Sequence, residues 1–186
     1  MVLNDANIRP KLKSYLNTKF KSNLKIVEEL SIHNGNAIAD LVSIDKSLHC
    51  YEIKGETDNI SRISIQGPFY DSTFSYLTLV TTNKHLKNAI KKTPPHWGII
   101  EVLKIKGKIK FTHHRKAKLN LDIKIEKALL TLWKLELQNI YKGLYKKTPK
   151  KNLNRLQLID LICKKATVNR LKNLIAISLF NRQFFR

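Results

Sequence analysis

The sequence predicts an α/β chain built on a mixed sheet and followed by a helical extension. Three observations predict it. An amphipathic helix precedes three strand-forming runs joined by short turns; a further helix and an apolar strand of the kind buried on both faces come next; and the apolar spacing after the last hairpin is helical.

Taken in order, Asn7 or Asp5 can cap a first helix in which Ile8, Leu12, Tyr15, Leu16 and Phe20 share a face, with Pro10 in or near its first turn. The runs LKIVEELSI (24–32), AIADLVSI (37–44) and LHCYEIKG (48–55) are rich in Ile, Val and Leu, and the links HNGN and DKS make two consecutive hairpins of them. Thr57 or Asp58 can cap a second helix running from about 59 into the 70s. YLTLVTT (76–82) reads as a fourth strand, HLKNAIKK (85–92) as a short helix, and GIIEVLKIKGKIKF (98–111) as a last strand with a basic hairpin turning at Gly107. Helices over roughly 122–143, 153–164 and 168–181 complete the chain, with YKKTPKKN (145–152) as linker. This divides the protein into an α/β core, 1–111, and a basic helical extension, 112–186.

With 186 residues, 42% of them hydrophobic, the chain can build a real core. It has no apolar run long enough to span a bilayer, which predicts a cytoplasmic protein without a membrane partner. Cys50 and Cys163 stand alone, with no Cys or His at zinc-ligand spacing. The net charge of +21 is unevenly placed: residues 1–71 hold nine basic and nine acidic side chains, residues 72–186 hold 26 and five. Codon bias accounts for Lys over Arg but not for this thinning of acids, so a polyanion, nucleic acid, is the expected partner.

Turn length sets register. A turn at Asn34-Gly35 pairs positions summing to 69 and places Glu29 opposite Asp40, with Glu28 as the fallback. A three-residue turn at Asp45-Lys46-Ser47 pairs positions summing to 92 and places Asp40 opposite Glu52, with Lys54 two residues along on the same face. Like charges opposed on a sheet destabilise it, so three carboxylates beside one ammonium call for a compensating charge, and a divalent cation with oxygen ligands suits them.

"AD" at 39–40, eleven intervening residues, "EIK" at 52–54 and then "QGPFY" at 66–70 resemble the PD-(D/E)xK nuclease superfamily, in its RecB-like QxxxY branch. The stretch 8–103, with VEEL, YEIKGETD, TLVTTNKHL and HWGI, is similar to small uncharacterised bacterial members, and LWKLEL (132–137) weakly continues the likeness. Ala39 replaces the Pro of the pattern, and Pro68 falls inside QxxxY, where a kink bearing on Tyr70 is expected.

The resemblance implies a restriction-endonuclease-like αβββαβ core and metal-dependent hydrolysis of phosphodiester bonds, of DNA before RNA, in a setting such as phage defence or DNA repair. It implies that Asp40, Glu52 and the carbonyl of Ile53 hold Mg²⁺ or Mn²⁺, that Lys54 orients the attacking water, that Glu29 holds a second metal or its water, and that Gln66 positions Lys54 or the nucleic-acid backbone. The alternative is a catalytically silent nucleic-acid-binding module on the same fold. Expected nucleic-acid contacts are Tyr70, Lys104, Lys106, Lys108, Arg115, Lys116, Lys150, Lys151 and Arg155, with Tyr70 as plain core the competing reading. His113 and His114 belong to a solvated basic loop, Trp97 and Trp133 to the core. Thr167 caps the last helix of a packed hairpin; on the competing view, in which the tail is a homodimerisation or partner-docking element, Leu156, Ile159, Leu171, Leu174 and Ile175 are the first place to look for the interface. No Gly-rich phosphate loop is present, so a helicase, ATPase or defence partner would be a separate chain.

Overall fold

The protein, represented by a computed structural model that describes residues 2–20 and 24–183, is a mixed α/β fold with a six-stranded sheet. Helix α1 (Asp5–Lys19) is capped by Asn4: its side chain accepts from the Asn7 N–H at 3.2 Å, and Asn7 reciprocates. Asn7 is thus the third helical residue and not the cap. Pro10 is the sixth, beyond the first turn, yet the helix continues through it. Ile8, Leu12 and Leu16 are buried along one face, whereas Phe20 lies past the helix and is exposed.

Strands β1 (Lys25–Ile32), β2 (Ala37–Ile44) and β3 (Leu48–Lys54) form the antiparallel meander. A 3₁₀ turn at Ile60–Arg62, capped by Asn59, leads into α2 (Ile63–Asp71), which also runs through its Pro68. Strand β4 (Tyr76–Thr82) pairs in parallel with β3, and after α3 (Asn83–Lys92) strand β5 (Gly98–Ile105) pairs in parallel with β4, each parallel step carried by a helix. Strand β6 (Lys108–Arg115) returns antiparallel across Lys106-Gly107, both at positive φ, as a tight two-residue hairpin requires. The sheet order is β1-β2-β3-β4-β5-β6. Because β6 reaches Arg115, a division at residue 111 falls inside a strand, and His113 and His114 lie on that strand.

Four helices follow: α4 (Ile125–Leu129), α5 (Lys134–Tyr145), α6 (Arg155–Lys165) and α7 (Val168–Asn181), the last capped by Thr167. The single helix expected over 122–143 is therefore two, broken at Leu130–Trp133. These helices do not form a separate unit. Val27, Val42, Cys50 and Leu77 of the sheet share one apolar cluster with Leu129, Leu158, Leu171 and Leu179, while α1 covers the opposite face over Leu41, Tyr51, Ile53 and Val80. Ile159, Leu171 and Ile175, the positions that a dimerising tail would use, are spent on this core. Trp97 is buried as expected; Trp133 is not, because it precedes the first turn of α5 and 54% of it is open to solvent. Among the described residues no helix is long and apolar enough to cross a membrane.

Candidate active site

The two hairpins have the registers that their turns dictate. Pairs in β1–β2 sum to 69 (Ser31↔Ile38, Glu28↔Leu41) and pairs in β2–β3 sum to 92 (Leu41↔Tyr51, Ile44↔Leu48). The ladders fail where the charges meet. Glu29 and Asp40 are skipped between Glu28↔Leu41 and Leu30↔Ala39, and the β2–β3 ladder stops at Leu41↔Tyr51, one step short of Asp40 and Glu52.

Glu29 has φ 54°, a left-handed conformation that costs a non-glycine residue about 1–2 kcal/mol. It resets the side-chain alternation: Val27 and Leu30 lie in the same core cluster although three residues apart, and across the strand so do Ala39 and Val42. Both strands change face at the same place, so register survives while Asp40 drops out of the ladder. Past that point β2 and β3 diverge, and the Asp40 side chain fills the notch by accepting the Ile53 N–H at 2.7 Å on Oδ2.

On β3, Glu52 and Lys54 are two apart and share the face toward α2. Both are buried, and Lys54 Nζ donates to Glu52 Oε1 at 2.5 Å and to Gln66 Oε1 at 3.3 Å. The Tyr70 hydroxyl, from the same helix as Gln66, lies 2.8 Å from Glu52 Oε2 and 2.9 Å from the Ile38 carbonyl, sharing one hydrogen between them. Burial and the Glu52 carboxylate push its phenol far up, so it stays a donor. Tyr70 is fully buried: its ring packs in the core and its hydroxyl holds Glu52. Pro68 does not displace it.

Burial and then the neighbouring Glu52 raise the Asp40 carboxyl to about 7, against the opposing Ile53 N–H and Lys54. The same surroundings, burial first, drive the Cys50 thiol well up, leaving it inert. The donors of Asp40 and Glu52 suit a hard divalent cation: both are carboxylates, Glu52 raises the proton affinity of Asp40, and a cation between them would remove that penalty. Glu29 does not join them. Its side chain is 71% exposed and pairs with Arg9 Nη1 at 3.2 Å, and among the described residues no group of three or more His, Cys, Asp or Glu is placed to hold a metal ion.

Arg9 is the residue that strand reasoning misses. From α1 it reaches Asp5 (2.7 Å), Glu29 and Asp40 (3.5 Å), supplying the compensating charge on the side away from Lys54. Its i,i+4 pairing with Asp5 is visible in the sequence; its placement over the notch is not. That placement depends on Gly55, directly after Lys54. A Cβ there would stand 2.5 Å from the Leu3 carbonyl, which accepts the Glu56 N–H at 2.7 Å, so the segment entering α1 crosses β3 only over a glycine. Glu28, the fallback for Glu29, pairs instead with Lys13 of α1 at 2.5 Å.

The basic residues divide. Arg115 donates to the Trp97 carbonyl (2.6 Å) and to Thr93 Oγ1, and Arg155 to the carbonyls of Leu130 (2.5 Å) and Leu132 (2.7 Å), so both brace the fold. Lys104, Lys106, Lys108, Lys116, Lys150 and Lys151 are exposed. Because β3, β4 and β5 are parallel, the Lys106-Gly107 turn projects from the same end of the sheet as Lys54. Arg155 also reaches Asn34 Oδ1 at 2.7 Å, which brings the α5–α6 connection, with Lys150 and Lys151, to that end from the other flank.

A model of the family described as bacteriophage P4 protein cII matches residues 3–185. Protein cII of Enterobacteria phage P4 is 24% identical over 161 residues, covering 87% of this chain and 60% of that protein, so the chain spans about three fifths of its relative's length. Among solved structures, the SPO1766 protein of unknown function from Silicibacter pomeroyi aligns at a TM-score of 0.38 and 11% identity, over 57% of this chain and 68% of that one.

Proposed function

For this chain, which belongs to the bacteriophage P4 protein cII family, we propose a metal-dependent nuclease that hydrolyses phosphodiester bonds of nucleic acid, DNA before RNA. The observation that carries the reading is the convergence of Asp40, Glu52, Lys54 and Gln66 at the diverging ends of β2 and β3, as the resemblance to PD-(D/E)xK nucleases implies. Mg²⁺ or Mn²⁺, held by Asp40, Glu52 and the Ile53 carbonyl, would supply Lewis-acid polarisation of the scissile phosphate and a water of lowered pKa. Lys54 keeps one ammonium aimed into the site because Glu52 and Gln66 fix its head, and there it stabilises charge developing on the phosphate. Tyr70 fixes the Glu52 carboxylate from behind. Lys104, Lys106 and Lys108 on one flank and Lys150 and Lys151 on the other supply phosphate contacts that orient the strand.

A second reading, a silent binding module on the same scaffold, is favoured by one observation: both Glu52 oxygens are engaged and Arg9 stands on Asp40. Circular and linear, single- and double-stranded substrates incubated with Mg²⁺, Mn²⁺ or EDTA separate the two. The nuclease reading expects cleavage that EDTA stops and Asp40→Ala removes; binding of these substrates without cleavage of any of them supports the silent module.

A further inference from the structure

We propose that Trp133 is a stacking platform for an unpaired base, so that the nucleic acid engaged by this protein has a single-stranded segment next to the candidate site. The inference rests on nucleic acid being the partner, as in the function proposed above, but not on its being cut.

Trp133 is 54% exposed, although apolar surface of that size is normally buried. It is also held rigidly. Its backbone N–H donates to Glu136 Oε2 at 2.6 Å, and the Arg182 guanidinium lies over its ring, 4.3 Å from the centroid. Arg182 is in turn fixed by Glu136 Oε1 at 2.7 Å and by the Thr131 carbonyl at 3.0 Å. An aromatic ring backed by an immobilised arginine is preorganised for stacking, which accepts any base because every base has a π-face.

Its position gives this a direction. The indole forms the ridge between two depressions. One, of about 430 Å³, is lined by Glu29, Ser31, Asn34, Arg155 and Arg182 and begins beside the strand position opposite Asp40. The other, of about 600 Å³, runs between α5 and α7 past Leu135, Asn139, Arg170 and Ile177. A strand leaving the notch on the β1 side therefore meets Trp133 next. A duplex keeps its bases stacked on one another and offers none to an isolated ring, so the geometry selects single-stranded substrate.

The test uses the full chain in EDTA, so that no substrate is consumed. The only other tryptophan, Trp97, is fully buried, and a fluorescence change on binding reports Trp133. Titration with oligo(dT) is expected to quench emission saturably, and a blunt duplex of equal length to leave it nearly unchanged. Trp133→Ala should weaken oligo(dT) binding roughly 5- to 100-fold, Trp133→Phe less, with duplex affinity unaltered, because the variant gives up stacking on one base. Equal oligo(dT) affinity in Trp133→Ala and wild type would overturn the inference and leave the nuclease reading standing. So would sedimentation showing that Trp133→Ala turns a dimer into a monomer without affecting oligo(dT) binding, since the ridge would then be a face for a second copy. No binding of either nucleic acid by the wild type would overturn both.

Discussion

Asp40 is where the sheet concentrates its electrostatic cost. A carboxyl raised from 3.8 to about 7 keeps its proton in the folded protein over a range where the unfolded chain has lost it. Its contribution to stability is therefore largest at acid pH and is lost as pH rises through about 7. In EDTA, the melting temperature of the wild type relative to Asp40→Asn should fall between pH 5 and pH 8, and a difference that stays flat would mean that Asp40 ionises as an ordinary carboxylate. In the cleavage assay, Asp40→Ala, Glu52→Ala and Lys54→Ala should each lower the rate at least about a hundredfold while leaving nucleic-acid affinity largely intact, because they remove metal or phosphate activation and few phosphate contacts. Undiminished cleavage by Asp40→Ala would place the chemistry elsewhere. Tyr70 marks the boundary of what single residues disclose: Gln and Tyr four apart on a helix are visible in the sequence, but whether the ring meets substrate or Glu52 depends on what α2 packs against.

At the scale of elements, both hairpin registers were legible because Asn34-Gly35 and Asp45–Ser47 fix them locally. The change of face at Glu29 and Asp40 was not, since no glycine announces it; a glutamate takes the left-handed backbone, held by the surrounding sheet and by Arg9. Glu29→Gly should accordingly stay within about 1 kcal/mol of wild-type stability, the missing side chain being offset by the relaxed φ, whereas Glu29→Val, branched at Cβ, should cost more than that. Thermal melts of the two variants decide it, and equal destabilisation of both would show that the charge, not the backbone, matters. Gly55→Ala tests the crossing of the α1 entry segment. With a Cβ 2.5 Å from the Leu3 carbonyl, the segment must lift, and amide exchange over residues 2–9 should speed up while β5 and β6 are unchanged. Where an element's identity depended on tertiary surroundings, as for the break at Leu130–Trp133, apolar spacing read through it, because Leu132 satisfies the helical pattern on either side.

Across the whole molecule, the charge asymmetry was visible in composition, yet its division between exposed lysines and fold-bracing arginines was not, since Arg115 and Arg155 look the same in sequence as their neighbours. Replacing Lys104, Lys106 and Lys108 by Gln, or Lys150 and Lys151 by Gln, should lower the slope of log K against log salt by about 0.9 for each duplex phosphate that the protein no longer neutralises. Arg155→Gln should instead lower the melting temperature, and the reverse pattern would mean that the lysine flanks are not the binding surface. A pair of hydrogen bonds joins distant parts of the chain with a consequence in time. Lys25 at the start of β1 donates to the carbonyls of Phe180 and Arg182 at 2.6 and 2.5 Å, and the apolar face of β1 is completed by α7. On the ribosome, at about 5–20 residues per second, β1 emerges many seconds before α7. A nascent chain must therefore wait with half of its sheet uncovered, and an mRNA broken before the α7 codons should yield an aggregating product rather than a weakened protein.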